Sequence, residues 1–302
     1  MELIKQSTNI NFVGSMKLAS TISIIMIVIS TGSVIMHGGL NYGIDFAGGA
    51  LAQVKFQKET TTESLRNALK PIRLDNSIIQ QFSSQELVIR TAESTSDLKG
   101  LSVRIEEALS AAYGKGTFDV RRFEVVGPKV GKDLTNKAIL AIVFSWIGML
   151  IYIAWRFEFR YAAGGILALV HDTIITVGAL SLFNKEFTLT IVAALLTIIG
   201  YSINDTIVVF DRIRENVRRS VKKDLGEIIN ASINETLSRT IITSFTVFIV
   251  LVVLFFLGGE VIHDFAFALL VGVVVGAYST IFIASPIVLI WENIKPSKMK
   301  RR

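Results

Sequence analysis

Residues 187–215 read FTLTIVAALLTIIGYSINDTIVVFDRIRE. The stretch is apolar and long enough to cross a bilayer, whose hydrocarbon core takes about 20 helical residues. Yet Ser202, Asn204, Asp205 and Thr206 interrupt it, and four more apolar residues follow. A carboxylate in such a segment costs roughly 2.5–3.5 kcal/mol on insertion scales, so it must face a protein interior or a water path. Asp205 is the residue the rest of the chain has to accommodate.

The fold follows from how this pattern repeats. The chain of 302 residues is 51% hydrophobic, only marginally above soluble domains at about 45–50%. Distribution decides instead. Apolar runs near 18–36, 136–155, 161–182, 187–210, 240–258 and 265–291 predict six membrane helices. The first run exceeds a secretory h-region of about 7–15 residues and lacks a small-x-small site, so it is expected to stay in place. Cysteine is absent, which excludes disulfides and thiol chemistry. The net charge of +6 sits in short segments beside the apolar runs, so no nucleic-acid partner is expected.

The expected division is 1–37 for the N-terminal segment and first helix and 38–133 for a polar domain. A five-helix bundle follows over 134–291, with a charged, partly helical loop at 211–238, and a basic tail at 292–302. Within the polar block, ALAQVKF (50–56) suits a strand, 62–70 a short helix stopped by Pro71, and 77–82 with 86–91 a strand pair. A helix capped by Ser96 runs to Tyr113 with Gly114 just past its end, and 117–126 is a last strand. The order β-α-β-β-α-β is the ferredoxin-like split pattern. Arg156, Arg160, Arg212, Arg214, Arg218 and the Lys/Arg-rich tail lie on one side of the spans, against Lys185 in the short loops of the other. The positive-inside rule places both termini in the cytoplasm and the polar domain outside.

Of 25 acidic residues, Asp172 and Asp205 sit well within a predicted span. Asp172 follows His171 in ALVHDTIITVG, one turn before Thr176. Thr197, Tyr201, Asn204 and Asp205 fall within roughly a 100° arc of a helix, forming a polar stripe. The fifth run opens with Arg239, Thr240, Thr243, Ser244 and Thr246. A carboxyl group in low dielectric favours its neutral form, and a nearby cation favours the charged one. Asp205 and Arg239 are therefore candidates for an ion relay that alternates between paired and protonated states, with Asp172 a further candidate. Ser202, Thr206 and His171 are candidate supporting groups. The alternative is a pair that satisfies itself and only packs, or an arginine that snorkels to the headgroups. Residues 127–133 (GPKVGKD) fall one residue short of a phosphate loop and lack its Ser/Thr; a turn before the second span is expected there. Gly272 and Gly276 have the spacing of close helix approach. With three His and no Cys, no metal site, cofactor site or enzymatic constellation is expected.

NYGIDFAGG, VGPKVGKDL, ALVHDTIITVG, GYSINDTIVVFDRIREN and NETLSRTIITS together resemble the SecD/SecF family of protein-export membrane proteins, within the resistance-nodulation-division superfamily. The likeness extends over nearly the whole chain. It implies use of a proton or sodium gradient to help draw an unfolded preprotein through the SecYEG channel. It implies that the family's essential membrane carboxylate corresponds to Asp205 and its partner arginine to Arg239. A complete unit of the superfamily has twelve helices, so six imply a separate SecD partner. The alternatives are a small-molecule or lipid exporter of the same superfamily and a scaffold that transduces nothing.

Overall fold

The computed structural model describes residues 9–91, 98–219 and 224–294. The chain divides into two compact units: 1–41 with 140–302, and 42–139.

The smaller unit is built on a four-stranded antiparallel sheet in the order β2-β3-β1-β4. It opens with a single helical turn, α2 (Ile44–Ala47), which follows the long helix α1 (Phe12–Met36) of the larger unit. Then come β1 (Gly49–Phe56), α3 (Thr62–Leu69), a 3-10 turn (Lys70–Ile72), β2 (Ile78–Gln81), β3 (Glu86–Thr91), α4 (Leu98–Tyr113) and β4 (Phe118–Val126). The alternation read from the sequence is thus present; the Ser96 cap lies outside the described residues. Ala50, Ala52, Val54 and Phe56 of β1 alternate onto one face and pack with Leu65 and Leu69 of α3 and Leu101, Ile105 and Leu109 of α4. The pairing of β1 with β4 shifts register between Gln53 and Val54. The extra residue changes which side chains of β4 face the helices: Phe118 and Val120 do so before the bulge, Phe123 and Val125 after it.

NYGIDFAGG acquires a physical reason. Gly48 ends α2 at φ +75°, where a side chain would be strained, and its α-carbon side lies against Pro128, 3.1 Å from where a Cβ would sit. Residues 127–133 are not a turn. They open α5 (Pro128–Arg156), with Pro at the first helical position, where its missing N–H is no loss. Gly131 is required because a Cβ there would meet the Phe46 carbonyl oxygen at 2.7 Å.

The larger unit adds α6 (Phe159–Leu182), α7 (Leu189–Arg219), α8 (Leu225–Leu257) and α9 (Glu260–Ser279). A π-turn (Thr280–Ala284) joins α9 to α10 (Ser285–Ile294). With α9 and α10 as one span, six helices among the described residues are long and apolar enough to cross a membrane. α6, α7 and the α9–α10 span are the central ones, with 61, 56 and 50% of their apolar windows buried, against 22, 11 and 17% for α1, α5 and α8. At 1.5 Å per residue α7 and α8 reach about 45–50 Å, beyond the roughly 30 Å of hydrocarbon. Their polar ends zip together: Asn216 donates to Ser232 (3.0 Å) and Glu235 (2.9 Å), and Arg212 pairs with Glu235 at 3.5 Å. Most of the 211–238 connector is therefore helix. The same end of α8 satisfies orphan N–H groups at the start of α1: Asn230 Oδ1 accepts from Phe12 (2.8 Å) and Val13 (3.2 Å), and Asn234 Oδ1 accepts from Ile10 just ahead of the helix (2.9 Å).

Candidate functional site

Position along α7 decides which neighbour each polar side chain meets. At about 100° per residue, Ser202 and Asp205 project about 60° apart. That angle is enough for them to meet different neighbouring helices, Ser202 reaching Asp172 of α6 and Asp205 reaching α8, so two buried carboxylate sites lie on adjacent faces of one helix.

On one side lies Asp172 of α6, only 1% exposed. Its Oδ2 accepts from Ser202 Oγ of α7 at 2.7 Å and from Ser279 Oγ of α9 at 2.9 Å. Its Oδ1 meets His171 Nδ1 at 3.0 Å. Three contacts within ordinary hydrogen-bond length hold Asp172 firmly. Thr176 donates to the Asp172 backbone carbonyl (2.8 Å), not to the carboxylate. The Tyr278 ring stacks on His171 at 6.1 Å, and its hydroxyl donates to the Ala19 carbonyl of α1 at 2.7 Å. Nε2 of His171 is buried without a partner among the described residues. Thr206 lies one turn along from Ser202 and shares a hydrogen bond of 2.9 Å with Thr280. Thr280 begins the π-turn, whose extra residue leaves its carbonyl to accept from Ser285 Oγ at 3.0 Å.

On the other side lies Asp205, 4% exposed. Its oxygens accept from Thr243 Oγ1 and Ser244 Oγ of α8, each at 3.3 Å. Both contacts exceed the usual 2.5–3.0 Å for O–H···O. Thr243 has one proton, and the same hydroxyl lies 3.0 Å from the carbonyls of Arg239 and Thr240, so its donation to Asp205 competes with a bond back to its own helix. Arg239 is exposed and forms no ion pair with Asp205 among the described residues, though its charge is near enough to act on the carboxylate. The Tyr201 hydroxyl is shielded beside Thr243 and Ser244 but reaches hydrogen-bond geometry with neither. Thr197 and Asn204, the remainder of the stripe, are exposed; the Thr197 hydroxyl bonds back to the Ala193 carbonyl at 2.8 Å.

The sites differ in chemistry. Asp172 is surrounded by short contacts from three elements, which fix its position. Asp205 has two long contacts from neutral hydroxyls, and a cation one turn along α8 that does not close on it. Of the two carboxylates, Asp205 is the more loosely coordinated. The spacing of Gly272 and Gly276 has a packing reason too. A Cβ at Gly272 would stand 2.3 Å from Ile198 Cδ1, and one at Gly276 would stand 3.1 Å from Ser202 Cβ. The two glycines bring α9 onto α7 where Ser202 and Ser279 must both reach Asp172. Ser279, Thr280 and Tyr278 escaped the sequence reading because the sixth run holds no charge to draw attention to them. The i, i+3, i+4 spacing of Gly276, Ser279 and Thr280 is the signal that marks the face.

The comparisons agree with this architecture. Residues 105–294 match the family "Protein export membrane protein SecD/SecF, C-terminal", and residues 34–60 match the "SecD/SecF GG Motif". The chain is 48% identical to the protein translocase subunit SecF of Calditerrivibrio nitroreducens, covering 98% of each chain. It is 46% identical to that of Magnetococcus marinus, covering 97% of this chain and 95% of that one. The crystal structure of a Thermus SecDF, a translocon-associated membrane protein, superposes with a TM-score of 0.86 at 37% identity, over 96% of this chain. This chain spans 40% of that longer SecDF chain. The six apolar helices, the antiparallel sheet after the first of them and these matches together show that the chain belongs to the SecD/SecF family of protein-export membrane proteins.

Proposed function

We propose that this chain is a gradient-coupled subunit of protein export, working with a SecD-type six-helix partner beside the SecYEG channel to draw unfolded preprotein across the bacterial cytoplasmic membrane. In this reading both termini are cytoplasmic. The β-α-β-β-α-β domain, ferredoxin-like in its strand order, lies outside, where it meets the preprotein.

The observation that carries the reading is the coordination of Asp205: buried in a membrane span, held by two neutral hydroxyls at long range, with Arg239 one turn along α8 and forming no ion pair among the described residues. When ionised, Asp205 draws the Thr243 and Ser244 protons and the charge of Arg239 toward α7. When protonated it no longer attracts Arg239, and Thr243 returns its proton to the carbonyls of its own helix. The α7–α8 contact therefore differs between the two states, and ion passage biases which is populated. One charge moved through the potential supplies about 2.3 kcal/mol per 100 mV. Asp172, pinned by Ser202, Ser279 and His171, anchors α6, α7 and α9 as the frame against which α8 moves.

The test is preprotein export in vesicles that contain the channel, with this chain and its SecD-type partner added singly and together. Both together should raise export, and only while a gradient is imposed. Equal export with and without the gradient would contradict the reading.

A further inference from the structure

A second polar feature lies away from both carboxylate sites, where α5 ends and α7 emerges from the apolar region. Arg156, Asp211, Arg214, Glu215, Arg218 and Arg219 line a cavity of about 480 Å³. Its charge is unbalanced, with four guanidinium groups facing two carboxylates. Asp211 is engaged by Arg156 at 3.5 Å. Glu215 is shared between Arg219 at 2.6 Å and Arg212 at 3.1 Å. That leaves Arg214 and Arg218 without a carboxylate partner among the described residues. Arg214 donates to the Arg156 carbonyl at 3.4 Å and lies over the Phe157 ring at 6.0 Å. Arg218 is exposed and has no ion pair among the described residues.

We infer that this cavity binds the phosphodiester headgroup of an anionic phospholipid. Guanidinium forks match phosphate oxygens bidentately, and a cavity of this size holds a headgroup. The position selects a lipid over a soluble anion. Arg156 is the last residue of a membrane-length helix. The adjoining Trp155 is 85% exposed and Phe159 60% exposed, as aromatic groups are at the level of the headgroups. A lipid whose phosphate sits between Arg214 and Arg218 would lay its acyl chains against the exposed Trp155 and Ile151 side of α5. Basic pockets between membrane helices are a recurrent headgroup site.

Native mass spectrometry of the full chain in detergent, titrated with phosphatidylglycerol, phosphatidylcholine or inorganic phosphate, tests this. One phosphatidylglycerol should be retained in preference to phosphatidylcholine, and phosphate should compete poorly. Arg218→Gln, an exposed change that leaves the helix packing alone, should weaken phosphatidylglycerol binding about tenfold, and Arg214→Gln with Arg218→Gln further. Arg121→Gln, on the sheet unit, should bind as wild type. Unchanged binding in Arg218→Gln and in the double variant overturns the inference. So does an equal loss in Arg121→Gln, equal retention of phosphatidylcholine, or displacement by phosphate at comparable concentration.

Discussion

At the scale of single residues, the two carboxylates show how coordination decides role. Asp172 makes three side-chain contacts, so deleting one leaves a buried carboxyl group less satisfied. Ser202→Ala should lower thermal stability in detergent by about 1 kcal/mol, in line with hydrogen bonds measured between membrane helices. Tyr201 is the opposite case. Its hydroxyl is shielded and has no hydrogen-bond partner among the described residues, and a buried unsatisfied O–H is a cost. Tyr201→Phe should leave the melting temperature unchanged or raise it, and a clear fall would show a partner that this arrangement lacks. The sequence exposed Asp205 because a carboxylate in an apolar run stands out. It grouped Ser202 with Asp205 by adjacency, whereas the helix turns Ser202 to Asp172. Thr243 and Ser244 were visible as a polar start to the fifth run, but their reach to Asp205 depends on how α8 crosses α7, which no local pattern encodes. The same crossing sets Arg239 apart from the carboxylate it was expected to pair with.

At the scale of elements, close approach is set by what is missing from a side chain. A methyl added at Gly272 would be driven into Ile198, so Gly272→Ala should destabilise the chain by about 1–3 kcal/mol through overpacking. Ile198→Ala in the same chain should recover part of that loss. A double-mutant cycle on thermal unfolding measures the coupling, and strict additivity would mean the two residues do not meet. The order of strands and helices was legible from alternation and turn residues. The start of α5 was not, because GPKVG looks like a turn until Gly131 is seen to seat the helix end on Phe46. The length of α7 and α8 was underestimated for a similar reason. Their ends are too charged to read as membrane span, yet Ile213 and Val217 of α7 and Ile229, Ile233 and Leu237 of α8 keep a helical period and pack into the core, while Asn216 and Arg212 link to Glu235 across the two helices.

At the scale of the molecule, the two units have separate cores. A soluble 40–130 fragment should therefore fold alone and give a mixed helix and sheet spectrum by circular dichroism. The six spans were legible because apolar length is the strongest signal a sequence holds. The exposed polar stripe of α7, with Thr197 and Asn204 turned out of the bundle, argues that the chain is half of a larger membrane assembly. Central to the account is that ionisation of Asp205 couples the gradient to export. The direct measurement is export in vesicles, with and without an imposed gradient, comparing the wild type with Asp205→Asn, each reconstituted with its SecD-type partner. Asn keeps the shape and the hydrogen-bonding capacity of Asp but cannot bind and release a proton, so folding should hold. Stimulation by the gradient should vanish while gradient-independent export stays at its basal level. Wild-type export by Asp205→Asn at full gradient would contradict the account and leave the chain a scaffold.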